Sequence, residues 1–374
     1  MRTRFVGADD LIRIGLGWGA FVVLLLIHPL LAAPAPTVTL VIALVGIIAV
    51  ILLCAFGVVK QAEALAHRLG DPYGSLVLTL SIVLIEVVLI AAVMLGPGDH
   101  ATIARDSVMA VSMIILNLVI GLCLLVGGLR TGALRHNRAG TSAYLTMLIV
   151  LSVVAFGLPA VIGTDGALTQ GQEIPIILLT LALYGFFLYQ QMGPRAVDFR
   201  EPDAAASDSE PATHTPVADV LREHRREIIT RLVLLVVTVV PIVLLSHDMA
   251  ALLDDGLGRL GAPPALAGLL IAAIVFLPES ITSVRAALAG EAQRVSNLCH
   301  GALVSTVGLT IPAVLVIGLF TGQTVILAET PADMMLLGAT LVLSVATFAS
   351  KKTSATYGAA HLVLFAAYVI ALFS

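Results

Sequence analysis

The chain has 374 residues, of which 59% are hydrophobic and 12% charged, and its formal net charge is −4. Ordinary soluble domains contain about 25% charged residues, so this composition excludes a water-soluble protein and indicates an integral membrane protein. No phosphate-binding loop or dinucleotide fingerprint occurs, which favours membrane lipid over nucleotide or nucleic acid as a partner. The three cysteines lie in apolar runs without the spacing of a disulfide framework or a zinc site.

Eleven apolar segments are long enough to cross a bilayer, because a spanning helix needs about 20 residues whose backbone groups bond one another. In chain order they lie near residues 12–31, 38–59, 75–96, 106–128, 143–163, 174–192, 229–247, 265–284, 298–319, 333–349 and 355–373. The first has no small-residue cleavage site, so we expect it to be retained and not removed as a signal peptide. The sequence therefore predicts an all-α membrane fold.

The distribution of basic residues predicts the orientation. If the N-terminus is cytoplasmic and the eleven spans alternate, nearly all Arg and Lys residues fall in cytoplasmic connections, and only Arg105 and Arg259 fall outside. Cytoplasmic loops of membrane proteins are enriched in Lys and Arg. This segregation supports the span count and predicts a C-terminus on the outer side.

A polar segment at 193–227, rich in Pro, Ala, Ser and charges, is typical of a solvated cytoplasmic linker. It divides the chain into an N-terminal segment with the first helix (1–36), a first group of five helices (37–192) and a second group of five (228–374). An odd number of spans in each group means that the two groups enter the membrane from opposite sides. We therefore predict two inverted five-helix repeats, an arrangement common in secondary transporters.

Two carboxylates lie deep inside apolar segments: Glu86 in the third and Glu279 in the eighth. A charge at the centre of a bilayer costs a few kcal/mol, so such residues are rare unless they bind or carry something. The predicted duplication gives the two glutamates equivalent positions, and we expect them to face each other in one cation site. The alternative is that each is a buried, protonated packing residue.

Calcium is a candidate for this site because it takes six to eight oxygen ligands, of which two glutamates supply up to four. Further oxygens are available on the same and neighbouring segments, from Thr79, Ser81, Asn117, the main-chain carbonyl of Ile274 that Pro278 would free, Ser280, Ser305 and Thr306. The alternative for these groups is hydrogen bonding to a neighbouring helix. His300 and His361 are candidates for a proton relay, with a structural hydrogen bond as the alternative.

The same pair of carboxylates predicts coupling to protons. Two negative charges close together in a medium of low dielectric constant repel each other, and either a cation or protons relieve this repulsion. Mutual exclusion of cation and protons gives antiport of Ca²⁺ against H⁺ by alternating access, or of Na⁺ or K⁺ on the same fold. A passive cation channel and an intramembrane acid-dyad enzyme are less favoured, since no aspartate dyad motif occurs in a span.

Several motifs, in order along nearly the whole chain, resemble those of a known family. They are Gly70-Asp71-Pro72-Tyr73-Gly74, Leu80-Ser81, Glu86-Val87, Arg105-Asp106, Pro278-Glu279, Leu309-Thr310-Ile311-Pro312 and Gly358-Ala359-Ala360-His361. The chain resembles the bacterial ChaA-type calcium or sodium/proton antiporters of the calcium/cation antiporter superfamily. The resemblance implies an inner-membrane exchanger with a sodium/calcium exchanger-like fold, not an enzyme, whose two glutamates bind the cation and the protons in turn without a cofactor. The segment Ile82-Val83-Leu84-Ile85 departs from the family pattern and reduces the number of side-chain oxygens near Glu86.

Overall fold

The structure is a computed structural model that describes residues 6–31, 36–69, 73–94, 101–202, 222–263, 265–349 and 352–373. These ranges contain eleven helices of 17 residues or more, which we number in chain order. They are α1 (Ala8–Leu31), α2 (Thr37–Leu69), α3 (Tyr73–Met94), α4 (Ile103–Thr131), α5 (Arg138–Ile162), α6 (Gln170–Met192), α7 (Arg225–Arg259), α8 (Ala265–Ala289), α9 (Ala292–Thr321), α10 (Pro331–Phe348) and α11 (Ala355–Ala371). Each corresponds to one predicted span, and the predicted all-α membrane fold is confirmed.

The helices have the dimensions and surface of membrane spans. By length and composition, α1, α2 and α4 to α10 are suited to crossing a membrane, and α11 is a shorter apolar helix. In α3, Glu86 is the only charged residue among 22. Large apolar side chains such as Val161 and Phe320 point outward with exposures of 81% and 88%. Such a surface is stable in contact with lipid and unstable in water.

Three helices contain a short π-helical stretch, in which one extra residue is accommodated per turn. The stretches are Ile114–Val119 in α4, Val153–Gly157 in α5 and Thr306–Thr310 in α9. A π-helical turn weakens the regular pairing of backbone groups and is frequently found at functional sites. These stretches were not predicted from the sequence.

The helices form two compact units that cut across the order of the chain. One unit comprises Met1–Gly96 and Ala212–Pro278, and the other comprises Pro97–Pro211 and Glu279–Ser374. Each unit thus combines helices from both predicted repeats, so the segments 37–192 and 228–374 are not themselves compact units. Helices from the two halves of the chain pack against one another to bury their apolar faces.

In the first unit, α2 packs along α7 and α3, and α1 packs on α2 and α7. Glu227, at the start of α7, forms ion pairs with Arg68 at 3.1 Å and Arg231 at 3.0 Å. Asp10 pairs with Lys60 at 3.0 Å. These ion pairs join the polar ends of α1, α2 and α7.

In the second unit, α4 and α11 approach closely through glycines. A Cβ atom on Gly358 would lie 2.5 Å from the backbone nitrogen of Leu125 and 2.6 Å from the carbonyl oxygen of Gly121. Small residues allow helix backbones in membrane proteins to come into direct contact. This contact holds the part of α11 that carries His361 against the middle of α4.

The second unit has two chemically different ends. At one end, which we call the acidic end, the loop before α10 bonds the start of α4 and the loop before α6, with Ile326 N donating to Ala101 O at 2.9 Å and Leu327 N to Gly166 O at 3.1 Å. The residues Asp106, Asp165, Glu173, Glu329 and Asp333 lie there. At the other end, the basic end, strands Leu134–Arg135 and Lys352–Thr353 pair antiparallel. The residues Arg130, Arg135, Arg138, Arg195, Arg200, Arg294 and Lys352 lie there.

The first part of the predicted linker packs on the basic end. Residues Ala196–Phe199 form a 3₁₀ turn, and the Phe199 side chain is buried against Tyr144. Asn297 Nδ2 donates to the Phe199 carbonyl at 2.7 Å, and Glu201 accepts from the Arg294 backbone N–H at 2.8 Å. The segment from 193 to 201 is therefore docked and not wholly solvated, because it carries a buried aromatic residue. The linker residues 203–221 lie outside the described part of the chain.

Candidate functional site

Glu86 lies in α3 within the first unit and is buried, with 5% exposure. The predicted supporting residue Ser81 is also buried, one and a half turns earlier in the same helix. Thr79 belongs to α3, but its side chain lies outside the described part of the structure. The neighbours Val83 and Ile85 are buried and apolar. In α3, the described side-chain oxygens near Glu86 are therefore few.

Glu279 lies in α8 and is buried, with 7% exposure. The division between the two compact units falls between Pro278 and Glu279. The helix continues through Pro278 without a break, from Ala265 to Ala289. Since proline has no N–H, the carbonyl of Ile274 lacks its usual helical donor, which keeps this group available as the predicted oxygen ligand.

The surroundings of Glu279 in the second unit are polar. Ser280 follows it and is half-buried. Ser283, one turn later, is buried and accepts from Cys299 Sγ of α9 at 3.5 Å. Glu279 itself is within electrostatic reach of Cys299. Together these contacts orient the Glu279 segment of α8 toward α9.

Asn117 and His361 are brought together in the core of the second unit. Asn117 lies in the π-helical stretch of α4 and is fully buried. Its Nδ2 donates to Thr340 Oγ1 at 2.7 Å, and its Oδ1 lies 3.1 Å from His361 Nδ1. His361 Nε2 lies 3.1 Å from Thr347 Oγ1. The amide and imidazole thus join α4, α10 and α11 in one buried network.

The other predicted polar residues lie in α9. Ser305 Oγ accepts from Tyr184 Oη at 2.9 Å, while Thr306 is fully buried at the start of the π-helical stretch. His300 Nδ1 lies 3.0 Å from Ser296 Oγ, which in turn lies 3.0 Å from Thr141 Oγ1. His300 Nε2 has no hydrogen-bond partner among the described residues. A short chain of polar groups therefore enters the second unit from its basic end and finishes at His300.

Thr340 and Thr347 were not predicted to belong to the polar core. They lie on one face of α10, with the buried Ser344 between them. Their spacing of three and four residues is the periodicity of one helix face. This stripe of hydroxyls in an apolar helix is a signal that the sequence carries, and it identifies the face of α10 that packs inward.

His136, in the loop between α4 and α5, lies at the basic end. Its side chain is buried, with Nε2 3.4 Å from the Phe348 carbonyl and its ring packed edge-on against the Phe348 ring. Burial lowers the pKa of His136, and the hydrogen bond to the Phe348 carbonyl opposes this effect in part. His136 is therefore neutral at physiological pH.

Comparison with known proteins identifies the family. The sequence matches the family described as "Sodium/calcium exchanger protein" over residues 39–193 and 230–374. The chain belongs to this family. The predicted resemblance is thus confirmed, and the protein is a multi-pass membrane transporter and not an enzyme.

Two curated bacterial relatives cover most of the chain. The sequence is 34% identical over 334 residues to "Sodium-potassium/proton antiporter ChaA" of Escherichia coli (strain K12), covering 89% of this chain and 88% of the relative. It is 35% identical over 319 residues to "Putative ionic transporter y4hA" of Sinorhizobium fredii (strain NBRC 101917 / NGR234), covering 84% of each.

Solved exchanger structures share the fold. Native YfkE superposes with a TM-score of 0.67 at 16% identity, covering 97% of this chain and 99% of the other. The H⁺/Ca²⁺ exchanger CAX superposes with a TM-score of 0.66 at 13% identity, covering 97% of this chain and 89% of the other. At these identities the similarity is one of fold.

Proposed function

We propose that this protein is a secondary antiporter that exports Ca²⁺ from the cytoplasm in exchange for protons. The observation that carries the proposal is the pair Glu86 and Glu279, two buried carboxylates in apolar helices. Each lies in one of the two stretches that match the exchanger family. Buried carboxylates at membrane depth are expensive to maintain and are typical of ion and proton pathways.

The exchange follows from charge balance. With Glu86 and Glu279 both ionised, a change of access in the empty state is unfavourable, because it encloses two negative charges in a medium of low dielectric constant. A divalent cation or two protons neutralise the pair, so these two loaded states can change access while the empty state cannot. Binding of one excludes the other, and this exclusion couples outward movement of the cation to inward movement of protons.

The buried histidines provide a proposed route for protons through the second unit. His300 is connected to the basic end by Ser296 and Thr141, and His361 is connected to Asn117 in α4. Imidazole accepts a proton at one nitrogen and releases one at the other, so it suits a relay. The remaining polar residues of the predicted site, Ser305 and Thr306, follow His300 on α9.

The choice of cation has two candidates. Ca²⁺ is favoured by the pair of carboxylates, because a divalent ion balances two negative charges. Na⁺ or K⁺ is favoured by the relative named for sodium, potassium and proton exchange, at 34% identity. It is also favoured by the apolar Val83 and Ile85 beside Glu86, since a monovalent ion needs less ligand charge.

We propose an inner-membrane location with a cytoplasmic N-terminus and an external C-terminus. The basic end of the second unit then faces the cytoplasm and the acidic end faces outward, in agreement with the enrichment of Lys and Arg in cytoplasmic loops. A cysteine-labelling experiment with a membrane-impermeant reagent tests this orientation. Labelling of a cysteine introduced at Asp333 from the cytoplasmic face alone would contradict it.

The proposal is tested in everted membrane vesicles that contain a pH-sensitive dye and a proton gradient. We expect proton release when Ca²⁺ is added, and loss of this release in Glu86→Gln and Glu279→Gln. Glu291→Gln serves as the control, because Glu291 pairs with Arg294 at the protein surface. Release with Na⁺ or K⁺ but not with Ca²⁺ would select the second candidate. Full activity in either of the two buried-glutamate variants would contradict the proposed site.

A further inference from the structure

A third buried glutamate, Glu329, lies at the acidic end of the second unit, just before α10. Only 2% of its side chain is exposed. Its Oε1 atom has no hydrogen-bond partner among the described residues. A buried carboxylate oxygen without a donor is costly when the group is ionised, so the position itself needs an explanation.

The nearby cation, Arg105, is committed to other acceptors. Its Nε and Nη2 atoms each lie 2.9 Å from Asp106 Oδ1, and Nη1 donates to the Ala328 carbonyl at 2.9 Å. Thr102 Oγ1 holds the other Asp106 oxygen at 2.8 Å. Glu329 Oε2 is 3.6 Å from Arg105 Nε, beyond ordinary hydrogen-bond distance. Arg105 therefore bonds mainly to Asp106 and Ala328, and Glu329 has only a longer ion pair with it. With both acids ionised, the group of Arg105, Asp106 and Glu329 carries one negative charge in excess.

The other groups that face Glu329 reinforce this imbalance. Asp333 of α10 and Asp106 of α4 are within electrostatic reach, as is the phenol of Tyr368 from α11. Burial raises the pKa of Glu329 to about 9. The two aspartates add to this shift, while Arg105 and the Thr330 backbone N–H oppose it. The carboxyl group consequently holds a proton at neutral pH.

A proton suits this position better than a metal ion. The described residues contain no group of three or more His, Cys, Asp and Glu side chains arranged to hold a metal. The guanidinium of Arg105 at 3.6 Å would also repel a bound cation. A proton on Glu329, in contrast, removes the uncompensated charge and requires no further ligand.

We propose that Glu329 is a proton-binding site, separate from Glu86 and Glu279. Through this site the pH of the aqueous phase at the acidic end controls the exchanger. In the protonated state, Arg105 holds Ala328 and Asp106, and so joins the loop before α10 to the start of α4. Loss of the proton leaves a buried negative charge that competes with Asp106 and Ala328 for the guanidinium. The hydrogen bonds that Arg105 donates to Asp106 and to the Ala328 carbonyl are therefore weakened as the pH at that end rises.

The first test measures the titration of the purified full-length protein by infrared difference spectroscopy. We expect a buried carboxylic-acid band that disappears in a transition near pH 9 and is missing in Glu329→Gln. Asp333→Asn should shift this transition to lower pH, because it removes a like charge while Thr330 still caps α10 through its bond to the residue 333 backbone. Glu291→Gln, at the opposite end of the same unit, should leave the transition unchanged.

The second test uses proteoliposomes in which the pH on the acidic-end side is varied alone. We expect wild-type exchange to change at alkaline pH on that side, and Glu329→Gln to lose this response while retaining exchange. The proposal is overturned if the carboxylic-acid band and its transition persist in Glu329→Gln. An absent band in the wild-type protein overturns it as well, and that measurement does not require Glu329→Gln to fold. The infrared titration is independent of the transported cation, so its failure is distinguishable from failure of the proposed antiport.

Discussion

Thr340→Val tests the buried network that positions Asn117. The substitution preserves the shape of the side chain and removes Oγ1, which accepts from Asn117 Nδ2 at 2.7 Å. Thr340 and Asn117 are both fully buried, so the amide loses its oxygen acceptor and keeps only the weaker sulfur acceptor Met113 Sδ, at 3.2 Å. Side-chain hydrogen bonds between membrane helices contribute about 0.6 kcal/mol on average, and an unsatisfied buried donor costs about 1–3 kcal/mol. We expect the free energy of unfolding to fall by about 1–2 kcal/mol.

The assay is reversible unfolding of the purified protein in mixed micelles by a denaturing detergent, followed by circular dichroism. Ser344→Ala is the matched control, because Ser344 lies on the same buried face of α10 and its Oγ has no hydrogen-bond partner among the described residues. We expect this control to lose clearly less stability than Thr340→Val. Equal losses in the two variants, or wild-type stability in Thr340→Val, would refute the reasoning.

The same variant reports on the role of Asn117 in transport. If Asn117 is a ligand, Thr340→Val should raise the KM for the cation, because the amide loses one of the three groups that fix its orientation. If Asn117 only joins helices, stability should fall while KM stays unchanged. Transport measured at saturating and limiting cation concentrations separates these outcomes.

Three further variants test the packing and the charges of both units. Gly358→Val should abolish accumulation of folded protein, because a Cβ atom at residue 358 would lie 2.5 Å from the α4 backbone. The control Gly338→Ala should be tolerated, because no atom lies within 4 Å of the added Cβ. His136→Gln should make the stability of the folded protein less sensitive to acid. The pKa of His136 is lowered in the folded state, so the wild-type protein loses stability as the pH drops below about 6.5. Thermal unfolding midpoints at several pH values measure this dependence. Glu227→Gln should lower the thermal unfolding midpoint, because Arg68 and Arg231 lose their shared carboxylate; a midpoint unchanged from wild type would contradict this expectation.

The helices were predictable because a segment in lipid has few alternatives. Backbone groups must bond within the segment, so each long apolar run forms a helix even where its end residues are hard to predict. The ends were less predictable: α7 extends to Arg259, although the apolar run was predicted to finish at 247. Its last turns carry Asp254, Asp255 and Arg259. The Asp255–Arg259 ion pair at 2.6 Å stabilises these polar turns, which hydropathy alone does not predict to be helical.

The burial of Glu329 was not predictable from local sequence. It lies in a short connection, Ala328-Glu329-Thr330-Pro331, whose composition is typical of a solvent-exposed turn. Its burial depends on long-range contacts, namely Ile326 with Ala101 and Ala328 with Arg105. Such contacts join parts of the chain more than 200 residues apart, and only the tertiary structure reveals them.

The geometry of the second unit supports an inverted duplication more directly than the sequence does. Helices α4 and α9 begin at Ile103 and Ala292, a separation of 189 residues, and each contains a π-helical stretch near its middle. The start of α4 lies at the acidic end, where the loop after α9 bonds Ala101, while the start of α9 lies at the basic end beside Glu201. Corresponding helices therefore run in opposite directions, as an inverted repeat requires.

This inversion explains why corresponding residues have different partners. Arg105 and Arg294 occupy equivalent positions near the starts of α4 and α9. At the acidic end, Arg105 is half-buried among Asp106, Ala328 and Glu329. At the basic end, Arg294 is half-exposed and pairs with Glu291. Because inversion puts equivalent positions on opposite faces of the membrane, duplication can preserve the helices while each face acquires its own electrostatics. Glu329 therefore lies at one face only. If it makes exchange depend on pH, exchange should respond to the pH at that face and not to the pH at the other.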